Sequence, residues 1–282
     1  MLLNEVLKTA GFCRKKDSSL ETLGRRPSRA LLDLGFGCGD QTIHLMSRAV
    51  IRDYDQPSFG FAYRANVPLI EQYVGVTLDK KQYRYAQQRV QELRNYTFRA
   101  KTTYHHNTKL FCADAARPEQ WDAELKKHLD AAVSQVDEIW VLALDTLYHF
   151  SPSRWPMIFY ASQALKASFM AFDLCLADNV SLPNLILLRI VTRVMGAPWA
   201  NFVTVDQYRA KLVEAGYQDI TLRDISKDVF DPLAMFLEQQ DERLRTIGWG
   251  LGPFHAARWM FRWWGRTGIV RGVIVVARSP KL

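Results

Sequence analysis

Short apolar runs alternate with helical patterning along most of this chain. Residues 30–34, 73–79, 108–113, 136–144 and 168–175 read as five strands. Between them lie stretches whose apolar positions recur at helical spacing. Residues 40–50 carry Ile43, Leu45, Met46 and Val50, and residues 80–94 carry Tyr83, Ala86, Val90 and Leu93. Residues 119–129 and 152–166 follow the third and fourth strands, with Pro152 and Pro156 placed in a first helical turn, where proline is tolerated. Five alternations of strand and helix predict a parallel sheet with helices on both faces.

After Asp178 the pattern changes. Residues 182–200 are apolar but interrupted by Arg189 and Arg193, four apart on one helical face. Thr204 is a good N-cap for a helix running to Ala215 and closed by Gly216. Residues 217–223 read as a sixth strand and 231–247 as a helix. A break at Gly248, Gly250, Gly252 and Pro253 follows, then an aromatic, basic stretch at 254–266 and a last strand at 272–278. The expected organisation is an N-terminal segment or lid at 1–29, with a short helix at 2–9, and one α/β domain at 30–282. That domain has a mostly parallel seven-stranded sheet, insertions at about 51–72 and 179–203, and a small helical cap at about 231–266.

Composition narrows the classes. A chain of 282 residues that is 48% hydrophobic can bury a sizeable core. The formal net charge is +8, yet Lys and Arg are scattered and no nucleic-acid motif is present. The charge therefore reads as solvated surface, and no nucleic-acid partner is expected. Cys13, Cys38, Cys112 and Cys175 form no C-x-x-C pair, which predicts free thiols in a reducing, cytoplasmic compartment. His105-His106 has no third ligand at zinc spacing, so no metal is expected. Residues 1–14 lack the pattern of a secretory signal, and no uninterrupted apolar run of about 18 residues predicts a spanning helix.

The chemistry centres on Leu31-Leu32-Asp33-Leu34-Gly35-Phe36-Gly37-Cys38-Gly39-Asp40-Gln41-Thr42. This is a strand, a glycine-rich turn and the polar start of a helix, whose N–H groups would point at a ligand. A dinucleotide fingerprint needs its third glycine at position 40, which is Asp40, and an acid there would repel a pyrophosphate. A tight turn without a ligand stays open on this stretch alone. Asp79 ends the second strand, where open α/β sheets bind a ribose. It lies about 40 residues after the glycines instead of the usual 20 or so, and the 51–72 insertion accounts for the difference.

Four stretches then carry a resemblance. They are Gly35-x-Gly37-x-Gly39 behind Asp33; Gly75-Val76-Thr77-Leu78-Asp79 with Gln82; Val141-Leu142-Ala143-Leu144-Asp145-Thr146-Leu147-Tyr148-His149-Phe150; and Thr204 to Tyr217, a T-x-x-x-Y … L-x-x-A-G-Y pattern. In this order they resemble the class I S-adenosylmethionine-dependent methyltransferases over roughly residues 30–280. The likeness is to the small-molecule group that includes tocopherol, sterol side-chain and cyclopropane-type enzymes and the rebeccamycin sugar O-methyltransferase. The resemblance implies a Rossmann-like fold, S-adenosyl-L-methionine as cofactor and S-adenosyl-L-homocysteine as product. It implies a cofactor site of Asp33, Gly35, Phe36, Gly37, Gly39, Gln41, Thr42, Asp79, Asp114, Ala115 and Leu144. Within it, the glycines would admit the methionine part and Asp33 would organise the loop and the ammonium group. Asp79 would accept from the ribose hydroxyls, Asp114 would accept from the adenine amino group, and the Ala115 N–H would donate to the ring. For Asp79 and Asp114 a plain helix N-cap is the competing role. Two features depart from the pattern: Phe36 stands where the family often has cysteine, and the 51–72 insertion resembles that of uncharacterised fungal members.

Methyl transfer from a sulfonium is an in-line displacement, and alignment alone supplies roughly 7–11 kcal/mol. A hydroxyl acceptor also needs a base. His149 is the first candidate, because imidazole titrates near neutrality, with Tyr148 and Asp173 behind it. Trp155, Trp199 and Phe202 are candidates for an apolar acceptor pocket. The stretch 254–266 suits a peripheral membrane surface, or plain core and subunit contact in a homodimer. The expected function is methylation of a small lipophilic molecule of secondary metabolism, at oxygen before nitrogen or carbon. A membrane-associated lipid methyltransferase and a non-catalytic cofactor-binding partner protein are the alternatives. An RNA or protein methyltransferase acting on amino groups would show an N-P-P-Y-type tetrapeptide where this chain has Asp145-Thr146-Leu147-Tyr148.

Overall fold

The computed structural model describes residues 2–12, 27–46, 70–99 and 107–280. In it β1 (Arg29–Leu34), β2 (Gln72–Thr77), β3 (Asn107–Cys112), β4 (Glu138–Leu144) and β5 (Ser168–Leu176) pair in parallel. β6 (Gln218–Asp224) and β7 (Val270–Arg278) are antiparallel to each other, and β7 is antiparallel to β5. The order across the seven-stranded sheet is β3-β2-β1-β4-β5-β7-β6. The central strands are covered on both faces, which is why they appear in the sequence as continuous apolar runs. In β5, all of 169–175 is buried.

The helices are α1 (Leu2–Thr9), α2 (Asp40–Met46), α3 (Lys80–Arg99), α4 (Ala123–Val133), α5 (Trp155–Gln163), α6 (Leu182–Val194), α7 (Val205–Glu214), α8 (Ser226–Arg245) and α9 (Phe254–Thr267). They divide the core into two clusters. Leu125, Met157, Tyr208 and Leu212 from α4, α5 and α7 pack with Leu32, Val141 and Phe169. Leu3, Leu188, Phe230 and Trp264 from α1, α6, α8 and α9 pack with Leu31, Leu142 and Phe172. Successive strand residues alternate between these clusters, so the clusters lie on opposite sheet faces.

Local chemistry sets the boundaries. Thr204 caps α7 in a full capping box with Gln207, as its sequence predicts. Gly268 closes α9 at φ 63°. Other ends differ from expectation. The helix expected at 119–129 is a 3-10 turn at Pro118–Gln120 followed by α4, because Asp122 accepts from the Leu125 N–H at 2.7 Å and starts the helix there. The helix expected from Pro152 starts at Trp155, with only Pro156 in its first turn. The 182–200 stretch is α6 and then a 3-10 turn at Trp199–Asn201. α8 begins at Ser226, ahead of the expected 231, and continues through Pro232, since burying Phe230 and Ala234 outweighs one lost helical hydrogen bond.

Of the expected N-terminal segment, α1 packs on the sheet through Leu3, Val6 and Leu7. Residues 13–26 with Cys13, residues 51–69 of the expected insertion, and His105 and His106 lie outside the described residues. Among the described residues, no helix is long and apolar enough to cross a membrane.

Candidate functional site

Strand order reverses between β1 and β4. From β1 the chain proceeds outward to β2 and β3, and from β4 it proceeds the other way. The crevice outside the carboxyl ends of the strands at such a switch point is where open α/β sheets take ligands. The ends of β1, β2, β3 and β4 bring together the loops at Gly35–Gly39, Leu78–Asp79, Ala113–Ala115 and Asp145–His149.

The glycine loop needs its glycines for different reasons. Gly35, Gly37 and Gly39 all have positive φ, at 72°, 60° and 84°. A Cβ on Gly35 would meet Thr146 Oγ1 at 2.5 Å, so that position holds the β1 and β4 loops together. A Cβ on Gly39 would press on Ala86 of α3 at 3.0 Å. Among the described residues, a Cβ on Gly37 would meet nothing within 4 Å, so this turn of backbone borders open space. Among the described residues, the Phe36, Gly37 and Cys38 N–H groups have no protein acceptor. The Phe36 side chain is 2% exposed and lies against Gly75, leaving only its backbone in the loop.

Beneath the loop, Asp33 is fully buried. The Gln41 amide donates to Asp33 Oδ1 at 2.6 Å, and the Tyr73 hydroxyl donates to Asp33 Oδ2. The Tyr73 hydroxyl also contacts Thr42 Oγ1 at 2.7 Å. Burial pushes the Asp33 carboxyl up to about 7, and the two hydrogen bonds pull against that rise. Gln41 and Thr42 therefore belong to the buried brace behind the loop. Arg89 of α3 ties down the front, donating to the Cys38 carbonyl and to Asp40 Oδ1, both at 2.8 Å.

Asp79 and Asp114 are both turn formers. Asp79 Oδ1 accepts from the Lys81 and Gln82 N–H groups at 2.7 and 2.8 Å, and Asp79 is exposed at the crevice. Asp114 Oδ1 accepts from the Ala116 N–H at 2.9 Å, with Arg117 Nε 3.6 Å from Oδ2. Among the described residues, the Ala115 N–H is donated to no protein group, although Ala115 is only 6% exposed. Leu144 is half-buried at the end of β4.

Past β4 the chain turns sharply at Asp145, whose φ is 56°, an uncommon value for a residue with a side chain. Asp145 keeps contact with solvent, yet crowding by protein pushes its carboxyl up to about 6. The Tyr148 hydroxyl donates to Asp145 Oδ1 at 2.8 Å and draws that value back. Tyr148 itself is held far above its ordinary range by burial and by Asp145, so it remains protonated. His149 stacks at a tilt on Tyr148, with ring centroids 4.3 Å apart. Desolvation lowers the His149 imidazole, while the Gly196 backbone and the charge of Asp173 pull the other way. The neutral form therefore prevails at neutral pH.

Two candidates lie on the α5 and α7 face of the sheet. Asp173 is 0% exposed; Arg154 and Tyr208 donate to its Oδ2, the latter at 2.9 Å, and the Leu174 N–H donates to its Oδ1 at 2.9 Å. Its carboxylate neutralises the buried Arg154. Trp155 packs on Tyr208 with centroids 5.2 Å apart, on the opposite sheet face from Trp199 and Phe202. The latter two do meet, stacked with centroids 5.8 Å apart.

Other important residues carried no sequence signal. Asn201, 0% exposed, donates to the Tyr148 and Phe150 carbonyls at 3.1 and 2.8 Å and accepts from the Arg154 N–H at 2.8 Å. It thereby staples the loop that carries His149. Tyr73 and Arg154 likewise act through partners distant in the chain, as does Tyr208, which the T-x-x-x-Y pattern did mark. In α9, Met260 and Trp264 are buried, and Arg258 and Arg262 both pair with Glu238 of α8. Phe254 and Trp259 remain exposed.

No family model matches the chain, and no curated protein does. Solved structures do. Phosphoethanolamine N-methyltransferase 2 of Haemonchus contortus, with phosphomonomethylethanolamine and S-adenosylhomocysteine, superposes with a TM-score of 0.63 at 13% identity, over 99% of this chain and 53% of that one. The chain thus spans about half the length of that protein. A cyclopropane synthase of Mycobacterium tuberculosis gives 0.61 at 14% identity, over 98% and 84% of the two chains. This is the class I methyltransferase fold. Geranyl diphosphate C-methyltransferase of Streptomyces coelicolor, with Mg2+, geranyl diphosphate and S-adenosyl-L-homocysteine, gives 0.56 at 16% identity, over 99% and 79%. These proteins place different substrates on a shared architecture, so any activity of this chain must be argued from its own site.

Proposed function

We propose that the protein is a methyltransferase that uses S-adenosyl-L-methionine, releases S-adenosyl-L-homocysteine and acts on a small, lipophilic acceptor, at oxygen in preference to nitrogen or carbon. The observation that carries this is the open cradle at the switch point. Gly37 borders free space, the Phe36–Cys38 N–H groups are unclaimed, and the nearly buried Ala115 N–H has no protein partner. These groups suit the cofactor's carboxylate and adenine, and Asp79 and Asp114 stand at the next two strand ends for the ribose and the adenine amino group. Bound there, the cofactor supplies an electrophilic methyl group.

The chain's own groups do the rest. Asp33, Gln41, Tyr73 and Thr42 hold the loop in shape, so the donors are preorganised instead of being arranged at the moment of binding. His149, neutral at neutral pH, is the group able to take a proton from an acceptor hydroxyl. Tyr148 stays protonated and steadies Asp145. Trp199, backed by the buried Phe202, offers the acceptor an apolar wall.

Calorimetry with S-adenosylhomocysteine tests cofactor binding: saturable binding at one site is expected, and no heat at any concentration would end the proposal. The acceptor is sought by comparing metabolites of cells with and without the gene, where methylation adds one CH2 to the product.

A further inference from the structure

Beside His149 lies a cavity of about 580 Å3, bounded by the end of α6, the 3-10 turn after it and the loop following β4. Its lining includes Ser151, Arg189, Ile190, Arg193, Gly196 and Trp199. Gly196 is also the backbone neighbour of the His149 imidazole, so the cavity adjoins the candidate base. Among the described residues, two guanidinium groups line it and no carboxylate does. Neither Arg189 nor Arg193 has an acidic partner among the described residues, whereas the α9 arginines Arg258 and Arg262 pair with Glu238. Arg189 is not simply free in solvent. Its guanidinium lies over the Trp199 ring, 5.0 Å from the centroid, which orients it.

Next to this charged cavity, α6 carries an apolar row at four-residue spacing. Leu182, Ile186, Ile190 and Val194 are 74%, 61%, 57% and 84% exposed. Ile190 belongs to both the row and the cavity wall. An unpaired pair of guanidinium groups is the standard complement of a tetrahedral oxyanion, and the row offers an alkyl chain somewhere to lie.

We propose that this cavity is the acceptor's headgroup site and that the acceptor is an amphiphile with a phosphate group. Arg189 and Arg193 bind the phosphate, Ser151 donates from the cavity wall, and the apolar tail follows Ile190 onto α6. This deepens the function proposed above by naming the substrate class of the same site.

The test uses decyl phosphate, decanol and decyltrimethylammonium as probes on the full chain, followed by calorimetry, with S-adenosylhomocysteine titrated in parallel. Decyl phosphate is expected to bind at least about tenfold more tightly than decanol, and the cationic probe more weakly than either. In R189Q/R193Q the affinity for decyl phosphate should fall about tenfold or more, and in R189K/R193K by less. Affinity for S-adenosylhomocysteine should be unchanged in both, which also shows that the variants fold. Equal binding of decanol and decyl phosphate, or wild-type binding by R189Q/R193Q, overturns the inference even where S-adenosylhomocysteine binds. Failure to bind S-adenosylhomocysteine, with arginine-dependent decyl phosphate binding intact, overturns the methyltransferase proposal and leaves an anion site. Co-sedimentation with phosphatidylcholine vesicles, with and without phosphatidylglycerol, identifies the source. Arginine-dependent binding only to the anionic vesicles assigns a lipid headgroup. Decyl phosphate binding without sedimentation assigns a soluble phosphate. Absence of both decyl phosphate binding and vesicle binding overturns the inference.

Discussion

The Tyr73 hydroxyl, on β2, donates to Asp33 on β1 and touches Thr42 on α2, so one phenol joins three elements under the glycine loop. Y73F removes that donor and leaves a buried carboxyl group short of a partner. A loss of about 1–3 kcal/mol is expected in urea denaturation. Weaker binding of S-adenosylhomocysteine should accompany it, because the loop donors lose their brace.

The same carboxylate gives a pH signature. Asp33 sits at about 7 in the folded chain against an ordinary 3.8, so between those values the folded state binds a proton that the unfolded state has released. Stability from this group is complete below about 4 and declines as pH rises to about 7. Subtracting the D33N variant cancels other titrating groups, Asp145 included. The stability difference, wild type minus D33N, should therefore fall with rising pH across that window. A flat difference would mean Asp33 is ionised throughout.

Much of this molecule is written locally. The strands are readable because parallel strands buried on both faces become apolar runs, and Thr204 announces α7 through its own hydroxyl and Gln207. The glycine loop is readable because positive φ selects glycine. Residues whose partners are far along the chain are not readable. Asn201 reaches back 53 and 51 residues to the Tyr148 and Phe150 carbonyls, and nothing near it in sequence says so. Asp173 looks catalytic at a strand end until the alternation of β5 places it with Ala171 and Cys175, on the α5 and α7 face. Trp155 and Trp199 are equally aromatic in the sequence, and only the sheet between them separates their roles.

Two glycine variants separate shape from binding. G35A drives a methyl group into Thr146 and should destabilise the chain well beyond the roughly 1–2 kcal/mol of left-handed strain. G37A carries only that strain, since its methyl group meets no protein atom. It projects into the open cradle instead, so its larger effect should be on the dissociation constant for S-adenosylhomocysteine. Denaturation and calorimetry on both variants check the contrast, and equal stability losses would show that Gly37 does not face open space.

Arg154 and Asp173 form an ion pair that is fully buried on both sides. R154M strands the carboxylate and should cost about 3–5 kcal/mol, because the charge is left without compensation. R154M/D173L removes both charges, and most of that loss should be recovered in urea denaturation. Full activity in a well-folded double variant would confirm that Asp173 has no part in the chemistry, while selective loss of turnover at intact stability would return it to the mechanism.

His149 is the sharpest test of the proposed chemistry. Asn201 holds its loop from behind through backbone carbonyls on either side, so truncating the imidazole leaves the scaffold in place. H149A should therefore lower turnover by more than about tenfold with cofactor affinity near wild type, since a positioned general base contributes roughly 10²–10⁴-fold. The pH profile carries independent information. Desolvation outweighs the Gly196 backbone and Asp173, so the imidazole loses its proton below its ordinary 6.5. The acidic limb of kcat/KM should accordingly have its midpoint below that value in wild type and vanish in H149A. If turnover and the acidic limb both survive the substitution, the proton leaves the acceptor by another route, and an acceptor that needs no base, such as an amine or an activated carbon, becomes the better assignment.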